Sequence, residues 1–218
     1  VLARYLASTH QPNNNKRSIV QGQTCLELGA GCGLSGLTAA ALGAHKVVLT
    51  DLPQALPTFQ VELNRSVWEP HCPGGVECRA LDWYQVMNNA SALDFVDPQT
   101  TVILVADCVW TMDLWPPLLH TMQALLDKLT EVTFLISYQQ RGAQTHAAFL
   151  EGLRSLFDGS IHGDSVTTNK KLPTTTSLRQ IDHVDNDESF LSHNPVLFLF
   201  EGRKFQVRAA RGDFSLLK

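Results

Sequence analysis

The sequence predicts an α/β fold, a Rossmann-like, doubly wound and mostly parallel sheet of seven strands. Three observations favour it: apolar runs of strand length alternate with amphipathic helices, the first run ends in a glycine-rich turn, and the fourth is almost wholly apolar. A strand that is apolar on both sides is typical of a parallel sheet covered by helices on both faces. The 218 residues, 44% of them hydrophobic, suffice for one such domain.

Strands are predicted where short apolar or β-branched runs lie between turn residues. The predicted strands are Thr24–Leu28, Lys46–Thr50, Val76–Leu81, Thr101–Ala106, Val132–Ser137, Leu178–Val184 and Val196–Glu201. Their alternation with helical segments places ligands outside the carboxyl ends of the strands.

Helices are predicted where apolar residues recur every three or four positions. They are Val1–Ser8, Leu34–Leu42, Gln54–Val67, a helix opened by Pro116 and Pro117, and Thr145–Phe157. Within the third helix, the apolar residues at helical spacing are Leu56, Phe59, Leu63 and Val67. The core face of the fourth is predicted to consist of Leu118, Met122, Leu125, Leu126 and Leu129.

One domain is expected across residues 1–218. Residues 159–177 are rich in Gly, Thr, Lys and Asp without periodicity, which predicts a long mobile loop. Because the sequence starts at Val1 within a predicted helix, we expect an upstream segment to be missing.

Charge and cysteine content exclude several classes of function. The formal charge of -4 argues against general binding of nucleic acid or of an anionic membrane, and no run reaches the length of a membrane span. Five cysteines without a Cys-x-x-Cys pair indicate free thiols in a reducing compartment. We therefore expect a cytoplasmic protein, with the nucleus as a second location, and no metal site, because the spacing fits no standard zinc pattern.

The most informative segment joins the first two strands. Gly29, Gly31 and Gly33 alternate after the first strand, and Asp51 follows the second, about 20 residues on, where an acid can bond ribose hydroxyls. Pyrophosphate binders use a G-x-G-x-x-G turn that aims a helix N-terminus at phosphate. Here the G-x-G-x-G series follows Glu27, whose carboxylate would repel a diphosphate. A cationic cofactor reverses that sign, which favours S-adenosylmethionine (SAM).

Four motifs, taken in order, resemble those of the seven-strand, SAM-dependent protein lysine methyltransferases called family 16, which have the class I methyltransferase fold. The motifs are Glu27–Gly36, Thr50–Pro53, Leu81–Trp83 and Ala106–Trp110. The resemblance covers nearly the whole chain. The N-terminal hairpin and upstream tryptophan of that family are not in this sequence.

The resemblance implies a SAM site built from these motifs. The backbone of Gly29–Gly31, which includes Ala30, would pass under the methionine moiety, and Asp51 would hold the ribose diol. Asp82 and Trp83 would flank the adenine, and the Ala106 backbone would line the same pocket. The remaining implied cofactor-binding residues are Glu27, Gly33, Leu52 and Asp107.

The resemblance also implies the catalytic residues. Asp107 would begin the D-x-x-Y motif that faces the target side chain, and Trp110 stands at its tyrosine position. Tryptophan keeps an aromatic face that attracts a cation by about 0.5–2 kcal/mol but lacks the hydroxyl. We expect Asp107 to position the incoming amine and Trp110 to form the channel wall. The implied partner is a protein substrate, of the chaperone or translation-related kind, and the implied enzyme is a monomer.

Several of these residues have a structural alternative. Asp51 could cap the turn that follows it, and Glu27 could orient backbone amides of the glycine turn without touching ligand. Trp83 could be a core residue, and Asp107 could bond the amides of the following helix.

The function also has alternatives of other classes. A nicotinamide-dependent reductase would need a Tyr-x-x-x-Lys pair, and neither Tyr84 nor Tyr138 has a lysine four residues on. A non-catalytic SAM-binding or scaffold protein stays open, as does a methyltransferase that acts on arginine, histidine or a small molecule.

Overall fold

The structure, a computed structural model, describes residues 1–10, 18–140, 142–157, 174–180 and 197–206. Its strands are β1 Thr24–Leu28, β2 Lys46–Asp51, β3 Val76–Ala80, β4 Thr100–Ala106, β5 Val132–Gln139, β6 Thr174–Gln180 and β7 Leu197–Gln206. Its α-helices are α1 Leu2–Thr9, α2 Leu34–Ala41, α3 Thr58–Leu63, α4 Arg65–Trp68, α5 Trp83–Asn88, α6 Trp115–Lys128 and α7 Ala143–Phe157.

The sheet order is β3-β2-β1-β4-β5-β7-β6. The first five strands in the chain pair in parallel, whereas β7 pairs antiparallel with both β5 and β6. The predicted α/β fold with a parallel sheet is therefore confirmed. The chain order reverses between β1 and β4, and ligands bind in α/β sheets at such a point.

The parallel strands β1, β2, β4 and β5 are buried on both faces, whereas the edge strand β3 is partly exposed. Successive residues of one strand point to opposite sides of the sheet. On β4, Ile103 and Val105 belong to one apolar core together with residues of α6 and α7. Val102 and Leu104 belong to a second core together with residues of α1 and α2. The predicted core face of α6 is confirmed, because all five of its residues are buried.

The prediction of one helix over Gln54–Val67 is wrong. A 3₁₀ turn covers Pro53–Ala55, α3 ends at Leu63, and α4 begins at Arg65. The segment packs through Val61 and Trp68, whose indole N–H donates to the Val61 carbonyl oxygen at 2.9 Å. The apolar stripe that the spacing picked out faces solvent instead, with Phe59, Leu63 and Val67 exposed.

The second half of the chain departs from the predicted boundaries. Residues 174–177, expected in the mobile loop, begin β6. This stretch is Thr-Thr-Thr-Ser, and its polarity indicated a loop although threonine favours strands. The rest of the predicted loop, residues 181–184 of the sixth predicted strand and Val196 lie outside the described residues.

The described part of the chain contains neither a membrane-spanning helix nor a cluster of metal-ligating side chains. No helix in it is long and apolar enough to cross a membrane. No group of three His, Cys, Asp or Glu side chains in it could hold a metal ion.

Candidate active site

A cavity of about 830 Å³ opens at the carboxyl ends of β1, β2, β4 and β5. Its size is within the range of small-molecule sites, and its position is the one expected from the strand order. All the predicted site residues except Gly33 line it, namely Glu27, Gly29, Ala30, Gly31, Asp51, Leu52, Asp82, Trp83, Ala106, Asp107 and Trp110. The structure therefore brings the four sequence motifs to one place, while the role of each residue stays a prediction.

The glycine turn forms the floor of the cavity. Gly29 and Gly31 have φ angles of 63° and 54°, in the left-handed region that favours glycine. A Cβ on Gly29 would lie 2.8 Å from the Cys108 sulfur and 3.1 Å from the Trp83 ring, so those side chains pack directly on its backbone. A Cβ on Gly31 would have no atom within 4 Å. Gly33 lies deeper and caps the start of α2.

Glu27 is buried beneath this turn, with 1% of its surface exposed. One carboxylate oxygen accepts a hydrogen bond from the Gly36 N–H at 2.9 Å. Burial raises the pKa of Glu27 to about 8, against the opposing effect of hydrogen bonds from Gly36 and Ser35. Glu27 thus binds a backbone amide of α2, where the structural alternative expected an amide of the glycine turn. The residue also borders the cavity.

Asp51 ends β2 and joins it to the glycine turn. One of its carboxylate oxygens accepts from the Gly31 N–H at 2.7 Å, and the other accepts from the Leu52 N–H at 2.7 Å. The structural alternative for Asp51 is thus also present. A carboxylate has about four lone-pair sites, so these two bonds leave acceptor capacity for the hydroxyls of a ligand.

Asp82 and Trp83 stand at the start of α5. The Asp82 side chain accepts from the Tyr84 N–H at 2.9 Å and so caps this helix. Trp83 is half-buried and packs against the larger core, with its ring edge next to Gly29. It serves as a core residue and as a wall of the cavity at the same time.

Asp107 follows β4 and has a φ of 55°, the one positive value among the described non-glycine residues. Its N–H donates to the Ser137 carbonyl oxygen at 2.7 Å, and its carboxylate accepts from the Gln139 N–H at 3.4 Å. These bonds tie Asp107 to the neighbouring strand β5. Backbone strain of this kind is concentrated at functional sites, because the surrounding structure must hold it in place.

Trp110 lies in the segment between β4 and α6 and is 59% exposed. It borders the cavity beside Tyr84 and Leu114. An indole exposed to this degree contributes little to the core. Core packing therefore does not explain why a tryptophan stands at this position.

The end of β5 also belongs to the site, although it was not among the residues predicted from the sequence. Ser137, Tyr138 and Gln139 line the cavity, and the Tyr138 hydroxyl is hydrogen-bonded to Nδ1 of His146 on α7. Burial raises the pKa of Tyr138, and burial together with the nearby Arg154 charge lowers the pKa of His146. The signal was available, because β5 is parallel to β4 and must end at the same edge of the sheet.

Two cysteines also contribute to the cavity wall. Cys108 is buried, donates to the Leu28 carbonyl oxygen at 3.1 Å, and has its pKa raised by burial. Cys32, in the glycine turn, is exposed.

The charges around the cavity have one sign. Its lining includes the carboxylates of Asp51, Asp82 and Asp107, whereas Glu27, with its raised pKa, is mostly protonated and neutral at pH 7. No Lys or Arg is among the described residues that border the cavity. A phosphate-bearing ligand would find no cationic side chain here, whereas a positively charged ligand would be attracted.

Comparison with known proteins gives a family for the chain. Residues 1–155 match a family model described as lysine methyltransferase. The EEF1A lysine methyltransferase 3 of Xenopus tropicalis is 32% identical over 127 residues, which are 58% of this chain and 52% of that protein. The protein N-lysine methyltransferase METTL21A of the same species is 31% identical over 138 residues, covering 63% of this chain and 59% of that protein.

A further relative has a different acceptor in its name. The histone-arginine methyltransferase METTL23 of Rattus norvegicus is 32% identical over 142 residues, covering 65% of this chain and 59% of that protein. The chain thus spans little more than half the length of these curated relatives.

Solved structures share the fold at low sequence identity. A protein of Streptococcus mutans, assigned as a SAM-dependent methyltransferase, superposes with a TM-score of 0.54 at 13% identity, over 85% of this chain and 45% of that one. A protein of Clostridium thermocellum, assigned as an rRNA methylase, gives 0.53 at 12% identity, over 85% and 90%.

Proposed function

The chain belongs to the lysine methyltransferase family, and from this premise we propose that it transfers a methyl group from SAM to a lysine side chain of a protein. The observation that carries the proposal is the acidic cavity, which joins the glycine turn to Asp107 and Trp110 without a basic side chain among its described lining residues. Both the sulfonium of SAM and the ammonium of lysine are cations, and such a cavity attracts both.

The residues present fit SAM. The backbone at Gly31 leaves open space where any side chain would intrude, so an extended ligand can lie against it. Asp51 at the end of β2 has acceptor capacity for a ribose diol, and the ring of Trp83 offers an apolar wall for the adenine. Bound SAM supplies an electrophilic methyl group, and the chain's own residues bind and orient it.

The chain must also prepare the acceptor. A lysine ammonium has a pKa near 10.4, so removing its proton at pH 7 costs about 4–5 kcal/mol. Asp107 attracts the ammonium into the cavity and fixes its direction, because the strained backbone there is tied to β5. Trp110 excludes water on one side, and desolvation lowers the pKa of the amine, against the opposing effect of the Asp107 charge. The ammonium proton passes to solvent, and the neutral amine then takes the methyl group while S-adenosylhomocysteine leaves.

We further infer that the sheet is the full seven-stranded sheet of class I methyltransferases within one domain. The strand order, with β7 inserted antiparallel between β5 and β6, supports this. A protein substrate is supported by the names of the relatives. The acidic lining would repel the phosphates of a nucleic-acid substrate. The proposal also includes a monomeric enzyme with a cytoplasmic or nuclear location.

The test is transfer of tritiated methyl groups from SAM to proteins of a cell lysate by the purified chain. Mass spectrometry of the labelled band then identifies the acceptor residue, and lysine is the expected one. The Asp107→Asn variant is the matched control, because asparagine tolerates the same backbone angle. Label on arginine would contradict lysine as the acceptor and would match the residue type in the name of the rat relative. Binding of SAM without any methyl transfer would indicate a non-catalytic scaffold protein.

A further inference from the structure

Four large apolar side chains are exposed on the two segments that border the cavity at Tyr84 and Trp110. They are Tyr84, Met87, Trp110 and Met112, and we call them the rim. Each keeps between 46% and 59% of its surface in contact with solvent. Tyr84 and Trp110 also line the cavity, so the rim is continuous with the proposed acceptor side of the site.

The rim is held together by one hydrogen bond between its two segments. The Tyr84 hydroxyl, on α5, donates to the Asp113 carbonyl oxygen at 2.9 Å, in the segment that carries Trp110 and Met112. Met87 lies three residues after Tyr84 and so shares its helix face. The bond therefore holds the two exposed apolar segments next to each other where Tyr84 and Trp110 border the cavity.

The same part of the chain has an unusual charge pattern. Residues 80–127 contain six aspartates and no Lys, Arg or Glu. Asp82 and Asp107 border the cavity, and the exposed Asp113 lies on the rim segment itself. An apolar surface edged by carboxylates is complementary to a polypeptide that carries positive charge next to an apolar side chain.

We propose that the rim binds the acceptor-bearing segment of the substrate protein, and that this segment carries Lys or Arg beside the acceptor together with an apolar anchor. The inference rests on the proposed function, and it adds the chemical class of the substrate. Trp110 and the methionines contact the anchor, while Asp113 attracts the flanking basic residue. Nucleic acid and anionic lipid have the wrong charge for this surface.

Labelled peptides of about 11 residues test the inference. Each carries one central lysine and one leucine, flanked by two Arg, two Ala or two Glu residues, and binding is measured by anisotropy in the presence of S-adenosylhomocysteine. We expect the Arg-flanked peptide to bind about 10-fold more tightly than the Ala-flanked one at 50 mM salt, with the advantage reduced at 300 mM. Equal affinities for the three peptides, or tighter binding of an oligonucleotide, would overturn the inference.

Two charge variants locate the effect. Asp113→Lys keeps the carbonyl that holds Tyr84, because that bond uses the backbone. It should weaken the Arg-flanked peptide about 3- to 10-fold and leave the Ala-flanked peptide unchanged. Asp127→Lys makes the same charge change at the far end of α6, roughly 20 Å away by helix rise, and should change neither. Equal weakening by both variants would mean that overall charge, not the rim, attracts the peptide.

The apolar contribution has its own variant. Replacing Met87 and Met112 together by serine should weaken the binding of all three peptides several-fold, because the apolar anchor loses its contacts. Both side chains are exposed, so the fold does not depend on them. Unchanged binding would show that the rim does not contact an apolar anchor of the peptide. Since binding is measured without methyl transfer, these results separate from the proposed function: a chain that binds the basic peptide but transfers no methyl group contradicts the function alone.

Discussion

The buried carboxylate of Glu27 accepts a hydrogen bond from the backbone N–H of Gly36, at 2.9 Å, and so links β1 to α2. The approach is possible because Gly36 has no side chain. An added Cβ would lie 2.7 Å from the bonding oxygen and would overlap the Leu49 side chain. The acid beneath the turn and the glycine of the helix above it therefore depend on each other.

Gly36→Ala should destabilise the protein by about 1–3 kcal/mol, as overpacking of a well-filled core does. The measurement is urea denaturation of both forms under the same conditions. Gly142→Ala is the matched control, since its Cβ would come no closer than 3.8 Å to the Thr145 hydroxyl. Equal stability of the two variants would show that Leu49 and Glu27 move aside without cost.

Glu27 should make stability depend on pH. Its pKa is about 8 in the folded protein against an ordinary value of 4.5, so between these values the folded state binds more protons than the unfolded state. Stability contributed by the protonated form is thus lost as pH rises, by up to about 1.4 kcal/mol per pH unit. The wild type minus Glu27→Gln difference in unfolding free energy should fall between pH 5.5 and pH 7.5 without ligand. A constant difference would contradict the raised pKa.

Gly31→Ala should weaken SAM binding at least 10-fold, because the new Cβ would enter the open space of the cavity. Isothermal calorimetry measures the affinity. Gly75→Ala is a matched control for strain: its φ is 78°, it also has no atom within 4 Å of the added Cβ, and it does not line the cavity. Both variants should lose about 1–2 kcal/mol of stability from the left-handed backbone. Weaker binding in both would assign the effect to strain.

Asp107→Asn should lower the rate of methyl transfer more than 100-fold while SAM affinity changes by no more than a few fold. The amide keeps the shape of the side chain and tolerates the φ of 55°, but it cannot attract an ammonium as a carboxylate does. Single-turnover labelling and calorimetry on one preparation give the two numbers. Full activity in this variant would remove Asp107 from the proposed mechanism.

The parallel strands β1, β2, β4 and β5 could be predicted from the sequence because they are buried on both faces and are therefore rich in apolar residues. In Thr24–Leu28 all five residues are buried, and Cys25, Leu26 and Leu28 give the run its apolar character. The position of the cavity could be predicted for the same reason, because glycines and acidic residues come directly after these buried strands.

The failures have a common physical origin in tertiary packing. The spacing of Phe59, Leu63 and Val67 marks one helix face, but periodicity does not say whether that face meets the core. The indole of Trp68 occupies the core side instead, through its bond to Val61. Tyr138 is a different case, because the parallel pairing of β4 and β5 was enough to place it: Ser137 lies opposite Ala106, and Tyr138 follows at the same edge of the sheet.

Cys32 is a site for covalent labelling in the glycine turn. Of the five thiols, it is the exposed one, whereas Cys25 and Cys108 are buried and burial holds them in the unreactive neutral form. A maleimide or iodoacetamide reagent added at one equivalent therefore has a preferred attachment point beside the cavity. A tethered spin label or electrophilic ligand could be installed there without mutagenesis.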